Sequence, residues 1–213
     1  MSTSGGIVLC GGQSKRMGFA KALLPFGPET MLERIVRLLR EVVDPIVVIA
    51  APRQELPTLW SEVRVLRDRR EGFGPLEGIA VGLTTLELLQ VESAYVTGCD
   101  TPLLRADFVR RMIELADGYP IAVPRVAAYE HCLAGVYSCR VLADVERLLA
   151  ENCLRLGDLY RHVATRFVEE EALREADPDL SSLRNVNEPA DYFDALSASR
   201  FAASPEIMAA LGR

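Results

Sequence analysis

Six short apolar runs, most of them β-branched, constrain this chain more than anything else in it: Gly6–Cys10, Pro45–Ala50, Val63–Leu66, Ala94–Thr97, Ile121–Val123 and Leu133–Tyr137. Loops or stretches of helical periodicity separate them. Strands that are apolar at successive positions are buried on both faces, and such strands belong to a mainly parallel sheet covered by helices above and below. The expected fold is therefore a three-layer α/β/α sandwich.

The helical segments have their own signals. Thr30-Met31-Leu32-Glu33 is a capping-box sequence, and Met31, Leu32, Ile35, Val36, Leu38 and Leu39 follow at helical spacing. Pro75 opens a helix to about Leu89, a position where proline is tolerated. Further helices are expected over Asp107–Ala116, Val141–Ala150, Leu156–Val163 and Pro189–Leu196. Another starts at Ser204-Pro205-Glu206, where the serine is a good N-cap. We read 1–196 as one domain and 197–213 as a linker and C-terminal helix.

Several classes are disfavoured by composition. The 213 residues carry a formal net charge of −6, which argues against a nucleic-acid or anionic-membrane partner. No apolar run approaches the roughly 20 residues needed to span a bilayer. The start of the chain lacks the pattern of a secretory signal. Its five cysteines, Cys10, Cys99, Cys132, Cys139 and Cys153, are odd in number and have no C-x-x-C spacing. They read as free thiols of a cytoplasmic protein. The two histidines, His131 and His162, are not at zinc-ligand spacing.

In parallel sheets ligands bind beyond the carboxyl ends of the strands, which directs attention to 11–21, 68–74 and 98–102. The first strand ends in Gly11-Gly12-Gln13-Ser14-Lys15-Arg16-Met17-Gly18, with Lys21 soon after. Adjacent glycines allow close backbone approach, and their N–H groups can face phosphate oxygens. Lys15, Arg16 and Lys21 supply positive charge for a polyphosphate. Neither the P-loop nor the dinucleotide fingerprint is present, so a dehydrogenase reading fails.

Leu9-Cys10-Gly11-Gly12-Gln13-Ser14-Lys15-Arg16-Met17-Gly18, followed by Lys21, resembles the signature of the molybdenum-cofactor guanylyltransferases and their nucleotidyltransferase relatives. Cys10 stands where that pattern has alanine, and Ala20-Lys21 where it has Asp-Lys. Gly74-Pro75-Leu76-Glu77-Gly78 resembles the family's Gly-Pro-Leu-x-Gly segment, Cys99-Asp100-Thr101-Pro102 its Cys-Asp-x-Pro segment, and Asn185-Val186-Asn187-Glu188-Pro189 its late Asn-x-Asn-x-Pro segment.

The resemblance implies a Rossmann-like nucleotidyltransferase fold that moves GMP from GTP to molybdopterin or molybdenum-bound molybdopterin and releases pyrophosphate. It implies nucleotide contacts from Leu9, Cys10, Gly11, Gly12, Ser14, Lys21, Asp68, Gly78 and Asp100, with Asp68 reading the base. It implies catalytic roles for Arg16, Lys21 and Asp100, and Mg²⁺ as cofactor on Asp100, an oxygen ligand of the hardness that ion takes. Asn187 is open between a helix cap, a second oxygen ligand and a substrate contact. Arg155 falls near where the family has a basic residue close to the acceptor. Proteins that make or receive the molybdenum cofactor are the transient partners it allows.

Other residues carry less. Glu130-His131 resembles an acid–base pair, but strand neighbours point to opposite faces; Glu169-Glu170-Glu171 reads as a solvated face and Trp60 as packing. Two other readings stay open: transfer of another nucleotide, such as cytidylyl, or transfer to a sugar phosphate; and a non-catalytic nucleotide-binding or cofactor-delivery protein, to which Ala20 lends weight.

Overall fold

The computed structural model describes residues 4–11, 16–70 and 72–212. Their backbone forms an eight-stranded sheet between two helical layers. The strands are β1 (Ser4–Leu9), β4 (Ile46–Ala50), β5 (Arg64–Arg67), β6 (Ser93–Gly98), β7 (Ile121–Val126), β8 (Tyr129–Glu130), β9 (Ala134–Ser138) and β10 (Thr165–Glu169). A separate two-stranded ribbon joins β2 (Pro25–Phe26) to β3 (Glu29–Thr30). The main sheet runs β10-β7-β9-β6-β1-β4-β5, with β8 folded back on β7. Most pairings are parallel, whereas β9 is antiparallel to both β6 and β7. The mainly parallel α/β/α sandwich expected from the apolar runs is the fold observed.

Alternate residues of the central strands feed opposite layers, as strand periodicity requires. Val8, Val48 and Ala50 pack toward α1 (Met31–Leu39), α3 (Ala106–Leu115) and α6 (Glu170–Arg174). Ile7, Leu9, Val47 and Ile49 pack toward α2 (Gly74–Leu88), α4 (Leu142–Ala150) and α5 (Leu156–Leu159). The expected capping box of α1 forms in both directions. Glu33 N–H donates to Thr30 Oγ1 at 3.2 Å, and Thr30 N–H to Glu33 Oε2 at 2.7 Å.

Some expectations needed revision. The helix from Leu156 stops at Leu159, well short of Val163. Strand β10, for which no strand was expected, packs Phe167 and Val168 inward, while Glu169 and Glu171 are exposed, as the reading of the acidic run as a solvated face anticipated. Helix α7 (Pro189–Ala198) runs into the segment read as a linker. Helix α8 (Pro205–Ala210) is capped by Ser204 as expected, whose Oγ accepts from Ile207 N–H at 3.4 Å. The C-terminal segment is not a loose tail. Phe201 and Ile207 join a third apolar cluster with Met17, Leu24, Phe26, Met31 and Tyr192, which packs the chain's end against the segment following the glycine loop. Among the described residues no helix is long and apolar enough to cross a membrane.

Candidate active site

Beyond the carboxyl ends of β1, β4, β5 and β6 lies a cleft of about 560 Å³, within the range of small-ligand sites. Leu9, Cys10, Gly11, Lys21, Asp68, Gly78 and Asp100 all line it, drawn from five separate segments. Gly12, Ser14 and Lys15, expected to contact the nucleotide or its phosphates, lie outside the described residues. Arg16 is exposed and does not line the cleft.

Asp100 sits one residue past the β6–Cys99 boundary, where Cys99 N–H donates to Leu9 O at 3.1 Å and extends the pairing of the two strands. The turn that carries it is braced from within. Thr97 Oγ1 and Thr101 Oγ1, both buried, are 3.1 Å apart, and Thr101 Oγ1 donates to Gly98 O at 3.3 Å. From outside, Val186 N–H donates to Asp100 O at 2.8 Å and Arg34 Nε to Pro102 O at 2.6 Å. The carboxylate is thus presented by a turn with little freedom to shift.

Lys21 opens a single 3₁₀ turn (Lys21–Leu23) whose Ala22 is buried beneath it. Its ammonium donates to Asp100 Oδ2 at 3.0 Å and to Asn187 Oδ1 at 3.0 Å. Asn187 is therefore not the cap of α7. The N-cap is Glu188, and Asp191 at the third helical position closes the box: its Oδ2 accepts from Asn187 N–H at 2.8 Å and Glu188 N–H at 3.0 Å, leaving the Asn187 side chain for Lys21. Two hard oxygens from distant segments converge on one cationic centre. This donor set suits a divalent cation that draws its remaining ligands from water and substrate phosphate. Among the described residues no cluster of three or more His, Cys, Asp or Glu is placed to hold a metal alone.

The opposite end of the cleft is shaped by Asp68, directly after β5, whose N–H donates to Ala50 O at 3.0 Å. Its carboxylate lies close against the backbones of Gly11 and Gly78. A Cβ at Gly11 would stand 2.9 Å from Asp68 Oδ2; one at Gly78 would stand 2.8 Å from Leu9 Cδ2 and 3.5 Å from Asp68 Oδ1. Partial burial, and then the charge of Glu77, push the Asp68 carboxyl up to about 6.

Glu77 is a residue the sequence did not single out. It is 1% exposed in the first turn of α2 and accepts from Arg69 Nε at 3.1 Å and Arg70 Nη2 at 2.7 Å. Arg69 also reaches Glu146 of α4 at 2.8 Å, and the Arg70 guanidinium lies 4.2 Å from the centre of the Phe73 ring. The loop that carries Asp68 is thereby tied to two helices. Two more polar neighbours, the buried thiols of Cys10 and Cys99, line the cleft floor. The hydrogen bond to Cys99 and burial push the Cys10 thiol well above its ordinary value.

A second cavity, of about 700 Å³, shares Pro75 and Leu133 with the first. Its walls come from 129–134, 154–157 and 182–191, and Asn187 lies on it while bonding Lys21 of the first. Arg155, His131 and Glu130 all line it, and Glu130 also pairs with Arg125 at 3.3 Å. Trp60 packs on the core under the Arg40 guanidinium, as its reading as packing anticipated.

A cationic turn, a carboxylate at a strand end and a glycine-lined slot, all on one α/β/α sheet edge, define a nucleotidyltransferase. The chain belongs to the MobA-like NTP transferase family, whose model matches residues 6–166. It is 33% identical over 190 residues to a "probable molybdenum cofactor guanylyltransferase" of Pelotomaculum thermopropionicum, covering 89% of this chain and 90% of that one. It is 32% identical over 185 residues to the molybdenum cofactor guanylyltransferase of Desulfosudis oleivorans, covering 85% and 89%. The crystal structure of molybdopterin-guanine dinucleotide biosynthesis protein A from Archaeoglobus fulgidus superposes with a TM-score of 0.75 at 19% identity, covering 92% of this chain and 98% of that one, which shows the shared fold.

Proposed function

We propose that this chain is a Mg²⁺-dependent guanylyltransferase that moves GMP from GTP to the phosphate of molybdopterin or molybdenum-bound molybdopterin. The observation that carries the reading is the meeting of Lys21, Asp100 and Asp68 on one nucleotide-sized cleft, in a chain related over most of its length to proteins named for that reaction.

The triphosphate lies along Gly11 and Lys21, with Arg16 drawn in by its charge. The guanine enters the slot between Gly11 and Gly78. There the Asp68 carboxylate accepts from the ring N–H and the exocyclic amine, a donor pair that cytosine and uracil lack. An oxygen of the acceptor phosphate attacks the α-phosphorus, the bond to the β-phosphate oxygen breaks, and pyrophosphate leaves. No covalent enzyme intermediate is needed, because the acceptor already carries a nucleophilic oxygen. The chain aligns two anions and offsets their charge. Lys21 does this directly, released from Asp100 toward the phosphates. Asp100 and Asn187 would hold Mg²⁺, which supplies Lewis-acid neutralisation of phosphate charge when bound. The free thiols suit a reducing cytoplasm.

Isothermal titration with GTP, CTP and ATP in magnesium tests the base assignment. GTP is expected to bind tightest, and a clear preference for CTP would overturn the reading.

A further inference from the structure

The family model ends at residue 166, and the chain beyond Ala198 has no part in the nucleotide reading. Helix α7 closes in a Schellman turn: Phe201 N–H donates to Leu196 O at 2.9 Å and Arg200 N–H to Ser197 O at 3.0 Å. Arg200 takes the left-handed position, at φ 59°, that usually falls to glycine. The turn brings Phe201 back onto the β2–β3 ribbon. Its ring lies so close to Gly27, itself at φ 71°, that a Cβ there would stand 2.6 Å from it. The Phe26 ring meets it edge-on at 5.7 Å.

Both rings stand beside Arg34 of α1. The guanidinium carbon is 5.0 Å from the centre of the Phe26 ring and 6.0 Å from that of Phe201. Arg34 Nη1 donates to Glu29 Oε1 at 3.3 Å, and its Nε to Pro102 O at 2.6 Å. Pro102 is two residues past Asp100. Aromatic faces beside a guanidinium attract it and restrict its swing, so the grip of Arg34 on the Asp100 turn depends on Phe201. The apolar cluster that holds Phe201 and Ile207 also takes in Leu103, from that same turn, and Phe19, just ahead of Lys21.

We propose that Phe201 and Arg34 are positioning residues: the C-terminal segment is a strap that, through the Arg34 guanidinium, holds the Asp100 turn at its distance from Lys21. This rests on the guanylyltransferase reading for the reaction served. Neither residue lines the nucleotide cleft, and Asp68 lies on a different strand end. Their loss therefore acts on the transfer step and leaves base selection alone.

Two readouts test the strap. Hydrogen–deuterium exchange of the free protein, resolved by peptide, is expected to speed up severalfold over 99–104 in Phe201→Ala and in Arg34→Met, with 46–50 unchanged. In pyrophosphate-release kinetics with GTP, Mg²⁺ and molybdopterin, each variant is expected to lose about tenfold or more in kcat. The KM for GTP and the margin of GTP over ATP should stay as in wild type. The double variant should lose no more than the worse single one, since both act through one contact. Ile207→Ala, which thins the same apolar cluster, should keep a normal kcat. Phe201→Leu keeps most of the packing volume and is read in the same way, with a smaller effect, if Phe201→Ala does not fold. Unaltered exchange over 99–104, losses that multiply in the double variant, or an equal loss in Ile207→Ala overturns the strap. Absence of pyrophosphate release in the wild type removes the reaction, while exchange over 99–104 still decides the strap.

Discussion

Lys21 and Asp100, 79 residues apart in the chain, meet at 3.0 Å in the cleft beyond the carboxyl ends of the central strands. Each is held by its own local turn, so the pair is a junction between two rigid pieces of backbone. The side chains are 16% and 20% exposed, and a pair open to water at one side adds little to stability. Its location, where a strand end meets a cationic turn, fits catalysis better than support.

Lys21→Ala and Asp100→Ala are therefore each expected to cut turnover by about 100- to 1,000-fold, the scale of losing one preorganised charge contact. Melting temperatures should stay within a few degrees of wild type. Steady-state kinetics alongside thermal unfolding check this. Two variants of normal rate, or two unfolded proteins, would contradict it.

Asp68 makes a prediction with a defined sign. Its carboxyl is raised from 3.8 to about 6, so its charge opposes folding of the free protein. The stability tied to the protonated group is complete below pH about 4 and lost as pH rises through about 6. Asp68→Asn, which carries no charge at either pH, should raise the melting temperature at pH 8 and leave it nearly unchanged at pH 4. The same variant should weaken GTP binding and narrow its margin over ATP. In the wild type, GTP affinity should fall as pH drops below about 6, because protonation removes an acceptor from the base slot.

Glu77 holds the loop that carries Asp68 through its arginines. It is 1% exposed and binds Arg69 and Arg70. Glu77→Gln keeps the volume and loses the charge, loosening the loop that holds Asp68. The expected outcome is a KM for GTP raised severalfold with kcat nearly unchanged and the acceptor KM unaffected. Stability should fall by about 1–3 kcal/mol, less than for a fully buried pair because both arginines are partly solvated. Denaturant titration and a split of kcat from KM check both halves.

How far the sequence reached follows from the range of the forces involved. Strands such as Ile46–Ala50 were legible because burial on both faces writes an apolar run into consecutive residues. Cap signals at Thr30 and Ser204 are local and were read correctly. Strand β10 was missed because Thr165-Arg166-Phe167-Val168-Glu169 lies at the sheet edge, pairs only with β7 and carries just two apolar residues, Phe167 and Val168. The Glu77 clamp was missed because burial of a glutamate depends on two arginines that the sequence places among five charged residues, 67–71. The second cavity joins three segments far apart in the chain, and no motif spans them. Asn187 shows the limit most plainly. Its sequence context fits a helix cap, and only the position of Asp191 frees its side chain for Lys21.

The central claim is guanylyl transfer at the Lys21–Asp100 junction. Pyrophosphate release from GTP, measured with purified wild type and Asp100→Ala in the presence of Mg²⁺ and molybdopterin, tests it most directly. Acceptor-dependent release by the wild type, nearly abolished in the variant, is the expected result; equal release by both proteins, or GTP binding without any release, would contradict it.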